Sequence, residues 1–400
     1  MKTPAAIIER LRPHVSRHRL IETALRLIEV PSPTGDAGAV SDRLAEILTT
    51  DGFEVQRLAA GHLLAPAVSI RLASGRPGPT LQFDGHLDTV HLPFQIAGVA
   101  DGRITGSGAA DMKSGIAAAV EAVRALRDAE ALTAGSVLLT AHDLHEAPWG
   151  DSRQLDNLIR AGHHGDAVLL PEPLRDVLPI AGRGSATWRV TVRRQGPPVH
   201  EVMRPVAEPS VIAAAAELVA RLGRLDDELR ASPHPVCGSA SVFVGQLHAG
   251  EIFNQYPQEA WLEGTRRWLP GTDPGTVERD FRGRLGRLAA ETGTQVDVRW
   301  MLIRDGFALD PADPFVAAFQ HCYQAISGAP LPTGPKPFVD DGNSFSALGG
   351  IPAITHGPRA GGQHTVSEWV EIDDLVRVAW LYAATAVEFC SAQPRIERGT

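Results

Sequence analysis

Before about Gly182, the sequence alternates between short apolar runs and segments with a helical spacing of apolar residues, and this alternation most constrains the fold. The runs TLQFDGHLDTV and SVLLTAHDL each become polar where they end, and the Ala-rich segment GIAAAVEAVRALRDAEAL lies between them. Strands that alternate with helices indicate an α/β fold with a mostly parallel sheet flanked by helices. Ligands bind beyond the carboxyl ends of the strands in such sheets. We therefore expect a functional site among these polar residues.

The pattern changes at about Gly182 and changes back after about Asp310. Within this region ATWRVTVRRQG, SASVFVGQLHAG, EAWLEGTRRWL and TQVDVRWMLI read as strands, and two further segments have helical spacing. Two β-α-β-like passes with antiparallel character predict an inserted four-stranded α+β domain. The predicted boundaries give one domain from residues 1–181 and 306–400, and an inserted domain from residues 182–305.

Charge and composition exclude several classes of protein. The net charge of −9 argues against a nucleic-acid binder, which needs a basic face. The three cysteines are scattered, so neither a disulfide framework nor a structural zinc knuckle is expected. The amino-terminal segment lacks the apolar core of a signal peptide, and no stretch approaches a membrane span. We expect a cytoplasmic protein that binds neither nucleic acid nor a membrane.

The motif FDGHLDTV places His86 and Asp88 two residues apart at a strand end, so both side chains point to the same side. An acid in that position can fix the tautomer of a histidine that binds a metal. The alternative is a capped strand end with a solvated histidine. By itself this motif does not decide between the two.

Further candidate ligands are each ambiguous on their own. Asp111 replaces the third glycine of a dinucleotide-binding motif and stands just before a helix, so it is either a metal ligand or a helix cap. Glu172 lies between two prolines after an apolar strand, and His364 follows a Gly-rich loop. A surface turn is the alternative for Glu172.

Taken in order, these motifs resemble one family. The chain is similar to the co-catalytic zinc hydrolases that include acetylornithine deacetylase, succinyl-diaminopimelate desuccinylase, aminoacylase and glutamate carboxypeptidase. The resemblance covers nearly the whole length. It is carried by VPSPTGD, FDGHLDTV, RRWLPG and DDGNSF…GIPAITHGP…HTVSEWV, together with the ordered residues His86, Asp111, Glu146, Glu172 and His364.

The resemblance implies a zinc exopeptidase-like catalytic domain and an inserted lid or dimerisation domain. Two divalent metal ions would share Asp111, and His86 and His364 would each bind one of them. Glu146 and Glu172 would complete the two sites. Zinc is the expected metal, with cobalt or manganese as alternatives. Three carboxylates and a bridging hydroxide would cancel the four positive charges of the metals.

The resemblance also implies a substrate and an assembly. The substrate would be a small N-acyl amino acid or a dipeptide-like molecule, whose amide bond is cleaved by metal-activated water. His200 would contact the substrate carbonyl, often in the site of a second subunit, so we expect a homodimer. Arg267 would bind the substrate carboxylate, and Asn254 is assigned to the same substrate-binding set. Arg359 is either a further carboxylate anchor or a surface arginine.

One position departs from the family pattern. Relatives have two adjacent glutamates, the first a general base and the second a ligand, whereas this chain has His145 followed by Glu146. His145 can be the base, which keeps the ligand set whole and which we favour. Alternatively, Glu146 is the base and His145 or His142 replaces it as a ligand. In a third interpretation the site holds metal without efficient hydrolysis, and the protein is a metal-containing binding protein. In both interpretations in which the protein is a hydrolase, Asp88 is predicted to be one of the catalytic residues.

Overall fold

The structure is a computed structural model that describes residues 3–147 and 150–391. The helices are α1 (Pro4–Leu11), α2 (Arg17–Ile28), α3 (Gly38–Thr50), α4 (Lys113–Asp128), α5 (Arg153–Arg160), α6 (Val211–Arg230), α7 (Pro274–Thr292), α8 (Pro314–Ser327), α9 (Asp341–Gly349) and α10 (Ile372–Cys390). The strands are β1 (Val55–Leu58), β2 (Ala67–Ala73), β3 (Thr80–His86), β4 (Gly98–Ala100), β5 (Arg103–Thr105), β6 (Ser136–His142), β7 (Ala167–Leu170), β8 (Leu178–Gly182), β9 (Gly184–Arg193), β10 (Val199–His200), β11 (Ser241–Ala249), β12 (Gln255–Tyr256), β13 (Glu259–Trp268), β14 (Gln295–Arg304), β15 (Phe307–Ala308), β16 (Thr333–Lys336), β17 (Ala353–Thr355), β18 (Ala360–Gly361) and β19 (Trp369–Glu371).

The largest sheet has six strands in the order β1-β2-β6-β3-β7-β17. Strands β6, β3, β7 and β17 run parallel to one another, and β1 and β2 add an antiparallel edge. Every residue of β6 is buried, as expected for a parallel strand covered on both faces. The α/β fold with a mostly parallel sheet is therefore confirmed.

The chain divides into two compact units. The first comprises Met1–Ile180, Leu309–Gly334 and Asp340–Thr400, and the second comprises Ala181–Ala308 and Pro335–Val339. The six-stranded sheet belongs to the first unit. The catalytic and lid or dimerisation roles of the predicted domains stay predictions.

The second unit contains an antiparallel sheet in the order β11-β13-β9-β14. Buried and less buried residues alternate along β9, which is the pattern of a sheet with one face on a core. Apolar residues of α6 and α7, among them Leu218, Leu222 and Phe281, pack against Val190 and Leu262 of that sheet. The four-stranded α+β architecture predicted for this region is confirmed.

A glycine sets the approach of α4 to the end of β7. A Cβ atom at Gly115 would lie 2.0 Å from the carbonyl oxygen of Pro171, which is far inside van der Waals contact. Asp111 lies just before α4, and Glu172 directly follows Pro171. The close approach therefore helps to place these two carboxylates near each other.

Gly115→Ala should destabilise the protein although alanine is the better helix former. The added methyl group must displace the Pro171 backbone, and overpacking of this kind costs about 1–3 kcal/mol. Thermal unfolding followed by calorimetry checks the sign of the change.

Gly223→Ala in α6 is the matched control. A Cβ atom at Gly223 would meet nothing within 4 Å, so the same substitution should stabilise the protein by roughly 0.5–1 kcal/mol. If both variants unfold at or above the wild-type temperature, the packing explanation is wrong.

Candidate metal centre

The polar residues that follow three neighbouring strands meet at one edge of the six-stranded sheet. His86 ends β3 and is paired in register with His142, which ends β6. Glu172 lies two residues after β7, and Asp111 lies two residues before α4. Because parallel strands present their carboxyl ends at the same edge, the fold itself brings these side chains together.

The carboxylate of Asp111 faces two different histidines. Its Oδ1 atom lies 3.2 Å from Nε2 of His86, and its Oδ2 atom lies 3.4 Å from Nε2 of His364. Glu172 completes the first set, with Oε1 at 3.5 Å from Nε2 of His86. Glu146 completes the second, with Oε2 at 3.2 Å from Nε2 of His364. This arrangement fits a carboxylate shared between two cations.

The donor atoms fit metal ions better than hydrogen bonds. In the described part of the chain, Nε2 of His86 and Oδ1 of Asp111 have no hydrogen-bond partner, although both are buried. Nδ1 of His86 lies 3.0 Å from the carbonyl oxygen of Asp88 and must donate to it, so Nε2 of the neutral ring presents its lone pair to the carboxylates. Ligand atoms around a tetrahedral zinc ion lie about 3.3–3.6 Å apart. The observed separations are close to that value.

Burial and charge shift the protonation of these residues. Burial and the nearby charge of Asp111 raise the pKa of Glu172 to about 7. Contacts with Asp111 and Glu146 raise the pKa of His364 to about 10. Burial opposes ionisation of Asp111, but its contacts with His364 and His86 outweigh burial and lower its pKa. Glu172 and His364 would therefore have to release protons when a metal ion binds.

Two buried carboxylates hold the backbone around the centre. Oδ2 of Asp88 accepts hydrogen bonds from the backbone amides of His145 (3.1 Å) and Glu146 (2.8 Å). Asp88 therefore contacts His86 through its carbonyl and through Oδ1, 3.6 Å from Nδ1, while Oδ2 fixes the loop that follows β6. Glu368 accepts from the amides of Gly108, Ala110 and Asp111 and fixes the loop before α4. Glu368 lies in the motif HTVSEWV but was not among the residues predicted from the sequence.

His145 lies between the centre and a further acid. Its Nδ1 atom is 2.9 Å from Oδ1 of Asp341, and its Nε2 atom is 3.9 Å from Oε1 of Glu172. The imidazole stacks on the ring of His86, with centroids 3.9 Å apart and planes 7° apart. Ligand atoms of His145, His86 and Glu172 lie within 4.8 Å of one another. The geometry accommodates His145 either as a base or as a further ligand.

His142 does not join the residues that share Asp111. Its Nε2 atom lies beside Asp84 and Asp341, at the same edge of the sheet. Sequence reasoning missed Asp84 and Asp341. The available signals were the two-residue spacing of Asp84 and His86 on one strand face, and the acidic pair that opens DDGNSF.

The second unit brings two of the remaining predicted residues together. Nδ2 of Asn254 lies 3.1 Å from Nε2 of His200, and Nδ1 of His200 lies 2.6 Å from Oε2 of Glu201. Arg267, on β13, is partly buried, and burial together with the charge of Arg183 lowers its pKa.

Arg359 belongs to the first unit. Its Nη1 atom lies 3.5 Å from Oε1 of Glu371, and its side chain is 56% exposed. The guanidinium therefore already has an acidic partner, which favours the surface-arginine alternative.

The comparisons with known proteins agree with this architecture. The family model of peptidase family M20/M25/M40 matches residues 83–388. A succinyl-diaminopimelate desuccinylase of Granulibacter bethesdensis is 30% identical over 386 residues, covering 90% of this chain and 95% of the relative. A second desuccinylase, from Gluconacetobacter diazotrophicus, is 26% identical and covers 90% of this chain and 94% of its own length.

Solved structures share the fold at lower identity. Aminopeptidase PepT from Bacillus cereus has a TM-score of 0.78 at 21% identity and covers 94% of this chain and 99% of its own. Human carnosine dipeptidase 1 has a TM-score of 0.73 at 14% identity, with coverages of 98% and 100%. The YXEP protein of Bacillus subtilis, described as a dinuclear metal binding peptidase, has a TM-score of 0.68 at 17% identity, with coverages of 94% and 99%. With a family model that spans more than half of its length, the chain belongs to peptidase family M20/M25/M40.

Proposed function

We propose that the protein is a metal-dependent hydrolase that cleaves the amide bond of an N-acyl amino acid or a dipeptide-like substrate. The observation that carries the proposal is the carboxylate of Asp111, whose two oxygens face two separate histidine–carboxylate sets. Membership of a family of metallohydrolases supports it.

Two divalent metal ions would be held by His86, Asp111 and Glu172 on one side, and by Asp111, Glu146 and His364 on the other. Zinc is the proposed metal, with cobalt or manganese as alternatives, because imidazole and carboxylate ligands suit all three. When bound, the metals would supply Lewis acidity that lowers the pKa of water and polarises an amide carbonyl.

His145 is the proposed general base. Nδ1 lies against Asp341, which leaves Nε2 on the side of Glu172 and the metal ligands. A base that is itself oriented by a third group is a recurring arrangement in hydrolases. The alternative, in which Glu146 is the base and His145 a ligand, is supported by the short separation of His145, His86 and Glu172.

The substrate contacts are proposed for residues of the second unit. Arg267 would bind a free carboxylate: burial and the nearby charge of Arg183 both lower the pKa of its guanidinium, and a substrate anion would offset both effects. His200 would donate to the carbonyl oxygen as charge develops on it, with Asn254 beside it. The desuccinylase relatives make succinylated amino acids the first substrates to test.

Turnover and metal content together test the function. Chelated protein should be inactive and should regain activity with zinc, cobalt or manganese on a panel of succinyl and acetyl amino acids and dipeptides.

In the same assay, Glu146→Ala should lose metal and activity because it removes a ligand. His145→Ala should retain the metals that share Asp111 and lose about 10²–10⁴ in kcat, the usual range for acid–base catalysis.

Two results would contradict this proposal, and each points to a different alternative. If His145→Ala loses metal while Glu146→Ala retains it, the two roles are reversed. Bound metal without turnover on any member of the panel favours the binding-protein alternative. That alternative arises because His145 stands where relatives have the glutamate that acts as general base.

A homodimer is the proposed assembly. Strands β11 and β14 are the edges of the four-stranded sheet, and edge strands tend to pair. Apolar side chains are exposed on β11 and α6: Phe243 is 63% and Leu247 50% exposed, and Ile212 is 50% exposed. A two-fold axis would bury the same surface on both subunits.

In the described residues no helix is long and apolar enough to span a membrane, and the cytoplasmic location stays a prediction.

Subunit mixing tests a shared site. His200→Ala and Glu146→Ala should each be inactive alone, and mixing them should restore some activity, because one hybrid site pairs intact metal ligands with His200 of the partner subunit. Light scattering should give a mass of about twice 42.7 kDa. A monomeric mass, or no rescue after demonstrated subunit exchange, removes this model.

A further inference from the structure

We propose that Asp84, His142 and Asp341 form a third site for a divalent cation, separate from the pair that shares Asp111. Asp84 lies two residues before His86 on β3, so its side chain points to the same side of the sheet. His142 ends the neighbouring strand β6, and Asp341 begins α9. Nothing in the proposed hydrolysis uses this set as a cation site.

The separations in this set match those of the first centre. Nε2 of His142 lies 3.4 Å from Oδ2 of Asp84 and 3.2 Å from Oδ2 of Asp341. The three ligand atoms lie within 4.8 Å of one another. Ligand atoms around a tetrahedral ion are about 3.3–3.6 Å apart. The His86–Asp111 contact, which we propose belongs to a metal site, has the same length, 3.2 Å.

Hydrogen bonding leaves the central atoms unsatisfied. Among the residues that the structure describes, Oδ2 of Asp84 and Nε2 of His142 have no hydrogen-bond partner, and both side chains are at least 98% buried. Nδ1 of His142 lies 3.1 Å from the carbonyl oxygen of Asp143, to which it must donate. Nε2 of the neutral ring therefore directs its lone pair towards the two carboxylates. A buried lone pair next to two anions is unfavourable unless a cation lies between them.

A proton on Nε2 is the competing cation. It would stabilise the cluster through a directed hydrogen bond to one carboxylate, but neither short contact has hydrogen-bond geometry. The same combination of a Nδ1-to-carbonyl contact, an unpartnered Nε2 and a carboxylate at 3.2 Å occurs at His86. The likeness of the two histidines favours a metal ion over a proton.

The charge of this set and the hydrogen bonds that hold Asp84 also suit a divalent ion. Two carboxylates cancel the charge of a dication, and neutral imidazole completes a donor set that zinc or manganese accepts. Oδ1 of Asp84 accepts from the Thr140 hydroxyl and lies 3.3 Å from Nε2 of Gln82. Gln82 in turn accepts from the amide of Gly165 at 2.9 Å. Contacts of this kind orient the carboxylate towards the site.

The site reaches the proposed base through Asp341. One oxygen of Asp341 faces His142, and the other lies 2.9 Å from Nδ1 of His145. A cation held by Asp341 would therefore fix the carboxylate that orients His145. The cation site itself does not rest on the proposed hydrolysis, because its evidence is the buried donor set.

Metal counting tests the proposal. The full chain is stripped with a chelator, loaded with zinc or, separately, manganese, and desalted before elemental analysis. Wild type should retain three ions per chain with at least one of these metals, and Asp84→Asn and His142→Gln should each retain two. Asp340→Asn is the matched control, because it alters a neighbouring buried carboxylate that accepts from the Gly342 amide and the Thr355 hydroxyl instead. That variant should retain three.

Native mass spectrometry of the wild type gives a second measurement if the variants do not fold. Three successive metal additions are expected. Saturation at two ions, or counts in the Asp84 and His142 variants equal to wild type, overturns the proposal. A protein that binds three ions but hydrolyses nothing would refute the proposed function and leave the third site standing.

Discussion

The sharing of Asp111 between two histidines is the interaction on which the rest of the centre depends. Each oxygen of this carboxylate faces a different ring nitrogen, at 3.2 and 3.4 Å. Glu146 and Glu172, both buried, bring two further acids to the same place. Uncompensated carboxylates are costly inside a protein, so positive charge has to accompany them. The pair of divalent cations that we propose would supply it, and the surrounding loops would present the ligands.

The supporting contacts show how the fold holds these ligands in position. Asp88 fixes the backbone of the loop that carries Glu146, and Glu368 fixes the backbone that carries Asp111. Gly115 lets α4 approach the carbonyl of Pro171, next to Glu172. These contacts act on the proposed metal ligands through backbone atoms, so the pattern of side-chain types along the sequence does not reveal them.

Much of this centre could be predicted from the sequence, and the missing part has a physical explanation. Strand ends in an α/β sheet converge, so His86 and Glu172 could be placed near each other from pattern alone, and the order of motifs carried the family resemblance. Asp341 could not be placed, because it approaches His145 from almost 200 positions along the chain and only the folded packing of α9 brings it there. Asp84 was overlooked because its two-residue spacing from His86 shows only that the two side chains share one strand face. Its importance depends on the register of β3 with β6, which sets it near His142.

The histidine that replaces the first glutamate of the family pair gains a carboxylate partner in this fold. His145 has Asp341 on one ring nitrogen and faces Glu172 with the other. An imidazole paired with an acid has the parts of an oriented base. His145 and Asp341 are therefore best understood together, as one unit beside the proposed metal ligands.

The sharing of Asp111 between two metal ions is tested most directly by an anomalous difference map, recorded at the zinc edge, from crystals of the zinc-loaded protein. We expect a peak on each side of the Asp111 carboxylate, one about 2.0–2.2 Å from ligand atoms of His86 and Glu172 and the other at a similar distance from Glu146 and His364. A map with no peak in contact with Asp111, or with a single peak that leaves Glu146 and His364 without metal, would contradict the central claim.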